Sequence, residues 1–137
     1  MSTSLVSAQS EEDAVKQVIV EFFKAFHEKD TTALRKLTYG DVTLQSIGND
    51  KEGKIKLSSQ PFSKFLGGIA AIPDDREFKE ELTGYHIQTD GAMANAWTPY
   101  NFYLQGDLSH SGVNSFQLFK TDDGWKIIYI IDTRHRN

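Results

Sequence analysis

The spacing of apolar residues changes midway along the chain, from helical to alternating. Val15, Val18, Ile19, Phe22, Phe23 and Phe26 recur at intervals of three and four, with Lys16, Gln17, Glu21 and Lys24 on the opposite side. That stripe predicts an amphipathic helix with one buried face. Ser10 followed by Glu11, Glu12 and Asp13 places a cap and acidic residues at the positive end of the helix dipole. The helix is therefore expected to begin there, after a disordered lead-in over residues 1–9, with a single domain over 10–137. Asp30 caps a short second helix carrying Ala33, Leu34 and Leu37. Asp41 to Ile47 reads as a strand bounded by Gly40 and Gly48, and Asn49 to Gln60 as a loop or irregular edge hairpin. Pro61 suits the first position of a third helix, where its missing N–H costs nothing. Phe62, Phe65, Leu66 and Ile69 form the buried stripe of that helix, and Gly67-Gly68 would admit a close neighbour.

From Glu77 the period becomes two. One strand runs to about Thr89, Asp90-Gly91 is a two-residue turn, and a second strand runs from Ala92 to Leu104. Gln105 to Ser109 makes the next turn. His110 to Lys120 and Trp125 to Arg134 then form a hairpin whose loop, Asp122-Asp123-Gly124, puts glycine in the left-handed conformation. This sets Thr121 opposite Trp125, Asn114 opposite Asp132 and Gly112 opposite Arg134, with His110 two residues further along the same face; Tyr100 is expected opposite Asn114. A one-residue slip would reverse every side chain. One face then carries Tyr85, Ile87, Ala94, Ala96, Thr98, Tyr100, Phe102, Phe116, Leu118, Ile128 and Ile130 together with His110, Asn114 and Asp132, and is assigned to the core. The other carries Trp97, Tyr103, Phe119, Trp125, Ile127 and Tyr129 among amides and hydroxyls, a composition enriched at protein interfaces. Helices first and a long curled antiparallel sheet second make an α+β fold. A sheet curved over one long helix leaves a conical cavity at its open end, the natural place for a ligand.

Composition narrows the function classes. At 137 residues, 39% hydrophobic and 25% charged, the chain is an ordinary globular domain. It has no cysteine, which excludes disulfides, thiol nucleophiles and thiolate metal sites. Net charge is −4 and the 15 basic residues are scattered, which argues against nucleic-acid binding. No apolar run approaches the roughly 20 residues that span a bilayer, and the amino terminus lacks a secretory pattern, so a cytoplasmic location is the expectation.

The candidate chemistry lies in the closing hairpin. His110 can exchange a proton near neutral pH, and a nearby Asp132 would orient the imidazole and raise its pKa. Asn114 can hold a carbonyl and Tyr100 can donate to developing negative charge. The plainer alternative is a buried polar network that fixes strand register. Arg134, two residues from Asp132, can recognise an anionic group or simply complete that network. Phe26, Tyr39, Phe65 and Tyr85 join Tyr100 as candidates for the ligand wall. Trp97, Tyr103, Phe119, Trp125 and Tyr129 form the candidate dimer interface, because such a cluster left open would be a large exposed apolar patch. His27, His86 and His135 lack a metal-ligand spacing, so no metal or cofactor is expected.

The amphipathic helix Val15 to Phe26, the Asp30-to-Leu37 helix leading into Asp41-Val-Thr-Leu, the hairpin Asp90-Gly-Ala-Met-Ala-Asn-Ala-Trp97, and the ending His110-Ser-Gly-Val-Asn-Ser-Phe-Gln-Leu with Gly124-Trp-Lys-Ile and Asp132-Thr-Arg134 together resemble the nuclear transport factor 2-like superfamily, in its SnoaL-like or lumazine-binding-type branch. The resemblance implies a cone-shaped, cystatin-like α+β fold, a pocket between helices and sheet, and a dimer through the outer sheet face. It also implies a choice between cofactor-independent isomerases, dehydratases or cyclases and non-catalytic dimeric binding modules, since function resides in the site and not the fold. Asp41 stands near the position where similar enzymes carry an acid or base. The expected activity is binding of a small organic molecule, with His110 as proton carrier if the protein is an enzyme.

Overall fold

The computed structural model describes residues 3–136. Helices α1 (Thr3–His27), α2 (Thr31–Lys36) and α3 (Phe62–Ala70) pack on strands β1 (Thr38–Asn49), β2 (Ile55–Pro61), β3 (Phe78–Leu82), β4 (His86–Asp90), β5 (Met93–Leu104), β6 (Asp107–Thr121), β7 (Gly124–Thr133) and β8 (His135–Arg136). The sheet runs β2-β1-β7-β6-β5-β3, with β4 also on β5 and β8 on β6. It is curled and mixed: all pairings are antiparallel except β1 with β7, which is parallel and departs from the all-antiparallel expectation. Among the described residues no helix is long and apolar enough to cross a membrane.

Helix α1 reaches back to Thr3, through most of the segment expected as a lead-in, so Ser10 lies inside the helix instead of capping it. Asp30 does cap α2, its carboxylate accepting from the Ala33 amide at 3.0 Å. The predicted stripe of α1 meets the sheet: Val15, Ile19, Phe22 and Phe23 are buried against Ala94, Ala96, Phe116, Leu118 and Ile130. Phe116 takes both helix rings edge-on, with centroids 5.5 Å from Phe22 and 6.1 Å from Phe23, a favoured aromatic geometry. The long strand expected from Glu77 to Thr89 is divided at Thr83-Gly84-Tyr85, and both pieces pair with β5.

The closing hairpin follows the predicted register where it matters for the cavity and departs from it near the loop. Asn114 faces Asp132 as predicted, and β8 continues the same alignment with Ser111 opposite His135 and His110 opposite Arg136. At the loop, however, Thr121 pairs with Gly124, and the extra residue is absorbed by a bulge at Ile128, between the Leu118–Ile127 and Gln117–Tyr129 pairs. Such a bulge leaves one residue unpaired and reverses the faces beyond it. Trp125 and Ile127, expected outside, are therefore buried at 5% and 0% exposure, while Ile128, expected in the core, is 39% exposed. Trp125 thus belongs to the core and not to a dimer surface. Tyr100 faces Gly112, and Thr98 takes the place opposite Asn114 that had been expected for Tyr100.

Gly112 has a steric reason. A Cβ there would stand 2.0 Å from the Thr133 carbonyl oxygen and 2.8 Å from its carbon, both backbone atoms. That carbonyl accepts from the Tyr100 hydroxyl at 2.7 Å, and the Thr133 hydroxyl accepts from the Val113 amide at 3.1 Å. In α3 the expectation is reversed: among the described residues nothing lies within 4 Å of a Cβ on Gly67 or Gly68, so neither serves a close approach there. Gly112→Ala is expected to lower stability by about 2–3 kcal/mol through overpacking, whereas Gly67→Ala should raise it by about 0.5–1 kcal/mol through helix propensity. Urea unfolding of both variants checks this, and a neutral Gly112→Ala would mean that Thr133 is not held against the sheet.

Candidate functional site

The strand registers lay polar residues across the inner face of the sheet in rows. Thr98, Asn114, Asp132 and Ser46 stand side by side on β5, β6, β7 and β1. Four residues along, Glu80, Phe102, His110 and Arg136 do the same on β3, β5, β6 and β8. Between them lies a row containing Leu82, Tyr100 and Gly112. These rows and the aromatic residues of α1 and α3 enclose a cavity of about 310 Å³, whose wall includes Phe22, Phe23, Phe26, Phe65, Phe102 and Phe116. Glu80, His110, Asn114, Asp132, Ser46 and Arg134 supply its polar part.

The two carboxylates of the cavity are held differently. Asp132 accepts from the Ser46 hydroxyl in a short contact, from Arg134 Nε at 3.3 Å, and lies 3.2 Å from the Tyr100 hydroxyl. Glu80 accepts from the Asn114 amide nitrogen at 2.7 Å. Its backbone N–H donates to His27 Nε2 at 2.9 Å, tying β3 to the end of α1. Burial pushes the Glu80 carboxyl up to about 7, aided by the nearby Asp132 charge and opposed by the Asn114 hydrogen bond and Arg134. A carboxyl poised there can exist in either form at neutral pH. Burial, with a smaller contribution from Lys79, lowers the pKa of His27, consistent with the neutral ring needed to accept through Nε2.

His110 is buried, stacked on Phe102 with centroids 4.8 Å apart and edge-on to Tyr100 at 5.7 Å. Its Nδ1 lies 3.3 Å from the Ser109 hydroxyl. Among the described residues Asp132 makes no hydrogen bond to it; that carboxylate is engaged by Ser46 and Arg134. Burial, followed by Arg134 and Arg136, lowers the His110 pKa, outweighing the opposing Asp132 charge. The expected rise is thus replaced by a fall, and the imidazole is a neutral acceptor or base instead of a standing acid.

The Tyr100 hydroxyl donates to the Thr133 carbonyl, so its proton is committed inside the sheet and not offered to a ligand. Burial, then the Asp132 and Glu80 charges, raise its pKa. Phe26 and Phe65 line the cavity, with centroids 5.9 Å apart. Tyr39 does not: it is 55% exposed and packs edge-on against Phe119 at 5.3 Å. Tyr85 also lies outside the cavity wall, under the Lys16 ammonium at 4.8 Å. Asp41 is exposed and away from the cavity. Glu80 is the group that sequence reasoning passed over. Alternation in Phe78-Lys-Glu-Glu-Leu82 was the available signal, since Phe78, Glu80 and Leu82 share a face and the carboxylate between two apolar residues must point inward.

No protein-family model matches the sequence, and a search of curated proteins finds no match. Solved structures do match. An NTF2-like protein of unknown function from Shewanella baltica OS155 is 19% identical, with a TM-score of 0.67 over 93% of this chain and 96% of that one. A candidate dehydratase of the NTF2-like family from Streptomyces avermitilis is 17% identical, with a TM-score of 0.70 over 94% and 99%. The beta subunit of a candidate aromatic-ring-hydroxylating dioxygenase from Novosphingobium aromaticivorans DSM 12444 is 10% identical, with a TM-score of 0.74 over 96% and 93%. At such identities the likeness is one of architecture: the chain has the nuclear transport factor 2-like, cystatin-like fold.

Proposed function

We propose that this protein binds a small organic molecule in the cavity between α1, α3 and the sheet, and carries out cofactor-independent acid–base chemistry on it. The observation that carries this reading is Glu80: a carboxyl poised near neutrality, anchored by Asn114, in a cavity whose apolar wall is built mainly of phenylalanines. Aromatic side chains bind an apolar body, and convergent polar groups orient it. Glu80 takes the role of proton carrier, with neutral His110, beyond Phe102 in the same row of the sheet, as a second acceptor. Asp132, held by Ser46 and Arg134, positions that wall. Similarity in fold to a candidate dehydratase supports a reaction of the isomerase, dehydratase or cyclase type. Proton abstraction next to a carbonyl is the step common to these.

A second reading concerns association. On the outer sheet face Trp97 is 53% exposed, and Met93, Phe119 and Tyr39 are exposed beside it; Tyr103 and Tyr129 are half-buried on the same face. We propose that this surface pairs two copies of the chain.

The Glu80 pKa has a thermodynamic sign. In the unfolded chain the group titrates near 4.5 and in the folded protein near 7. The folded state therefore holds the extra proton between these values, and the stability it contributes is full below about 4.5 and lost as pH rises through 7. Glu80→Gln, which cannot ionise, should gain on wild type by up to about 3 kcal/mol between pH 4.5 and 8. Urea unfolding at both pH values measures this; a pH-independent difference would mean that Glu80 ionises normally. For activity, deuterium exchange into a panel of enolisable ketones should be catalysed by wild type and fall by about 100-fold or more in Glu80→Gln, read by NMR. Retention of full exchange in the variant would remove Glu80 from the chemistry. For association, Trp97→Glu should convert a dimer to a folded monomer in sedimentation equilibrium, and an unchanged mass would refute the outer-face contact.

A further inference from the structure

Beside the cavity runs a wider groove of about 820 Å³, along β1, β2 and the chain's last residues. Lys51, Lys56, Lys64, Arg134 and Arg136 line it, against the single carboxylate of Asp50. Asp50 is already occupied, accepting from the Glu52 and Lys54 amides at 2.9 Å each to close the β1–β2 turn. This concentration of positive charge runs against a chain whose net charge is −4. Groove and cavity also share wall residues: Leu44, Ser46, Gln60, Arg134 and Arg136 belong to both. The groove is therefore the vestibule of the cavity.

Among the described residues, no acidic side chain lies within ion-pair distance of Lys56, Lys64 or Arg136. Arg134 meets Asp132 through Nε, which leaves its terminal nitrogens for another acceptor. The field reaches inward, since Arg134 and Arg136 are among the causes that depress the His110 pKa. Cations gathered at the mouth of a low-dielectric cleft raise the local concentration of anions. Deeper in, Glu80 and Asp132 disfavour negative charge, so an anionic group is stable at the mouth and unstable at the base. The apolar wall between these ends accepts a hydrocarbon body.

We infer that the ligand is an amphipathic organic anion, a small aromatic or alicyclic carboxylate or its equivalent, with its ring among Phe26, Phe65 and Phe102 and its charged group turned outward to Arg134, Arg136 and the lysines of the vestibule. The inference rests on the ligand-binding reading above and adds the class of ligand and its direction of entry. Titration calorimetry with benzoate, 2-naphthoate and indole-3-acetate, each beside its uncharged carboxamide, tests both and keeps them apart. At low salt at least one carboxylate should bind about tenfold or more tightly than its amide. That margin should shrink at about 0.5 M salt, where exposed charges are screened. It should also shrink in the double variant Lys56→Gln/Arg136→Gln, whose exposed side chains lie outside the Glu80 and Asp132 hydrogen bonds and whose thermal melt should match wild type. Amides that bind as tightly as the acids would overturn the anion inference and leave the cavity's ligand role standing. Absence of binding in both series, with the protein folded, would sink the ligand-binding reading and this inference with it.

Discussion

The alignment of β5, β6 and β7 is the constraint on which the rest of the molecule depends. Alternation along a strand gives each residue only two directions. Pairing then decides which inward residues become neighbours across the sheet. With Thr98 opposite Asn114 and Asn114 opposite Asp132, polar groups from three strands fall in one row. The parallel partner β1 adds Ser46 to that row. Moved by a single residue, the same side chains would face solvent and the cavity would lose its polar wall. The cost of burying Asn114, Asp132 and Ser46 is met locally by hydrogen bonds among themselves and to Glu80 and Arg134, whereas the Thr98 hydroxyl has no partner among the described residues.

Two carboxylates in one cavity illustrate how environment assigns roles to chemically similar groups. Asp132 stands where a hydroxyl and a guanidinium reach it, and it belongs to the framework. Glu80 has a single amide partner and a largely desolvated position on β3, so its proton is retained to near neutrality. His110 moves the opposite way, because burial and two arginines disfavour its cation. A carboxyl that keeps its proton and an imidazole that sheds its own thus share one aromatic chamber, and the basic vestibule beside them contributes to both the depressed imidazole and the expected orientation of a bound anion.

Much of this was legible in the sequence, for identifiable reasons. Long stretches with one clear period, such as Val15 to Phe26 and Ala92 to Leu104, have the structure their period predicts. So does the pairing of Asn114 with Asp132. The failures sit where one residue changes the count. The Thr121–Gly124 pairing and the bulge at Ile128 reverse Trp125, Ile127 and Ile128, and a bulge leaves no mark in a run of β-branched residues. Tyr39 follows Thr38 through an irregular stretch around Gly40, at positive φ, so its side chain turns to the outer face. The Asp132–His110 pair failed for another reason: facing the same way does not put two groups in contact, and Ser46, from a strand distant in sequence, reached the carboxylate first. Glu80 was hidden for a related reason: a single strand through Thr89 with Tyr85 and Ile87 inward sets even positions outward, and the break at Thr83-Gly84-Tyr85 reverses that parity for β3.

The fate of Trp125 has a spectroscopic consequence. The chain carries two indoles in opposite surroundings: Trp125 is enclosed in the core at 5% exposure, its Nε1 without a partner among the described residues, while Trp97 stands on the outer face at 53%. The first sits in an apolar medium, and the second meets water wherever the outer face is uncovered. Intrinsic fluorescence of this protein therefore contains two separable colours, one reporting the integrity of the interior and the other the wetting of the sheet's outer surface.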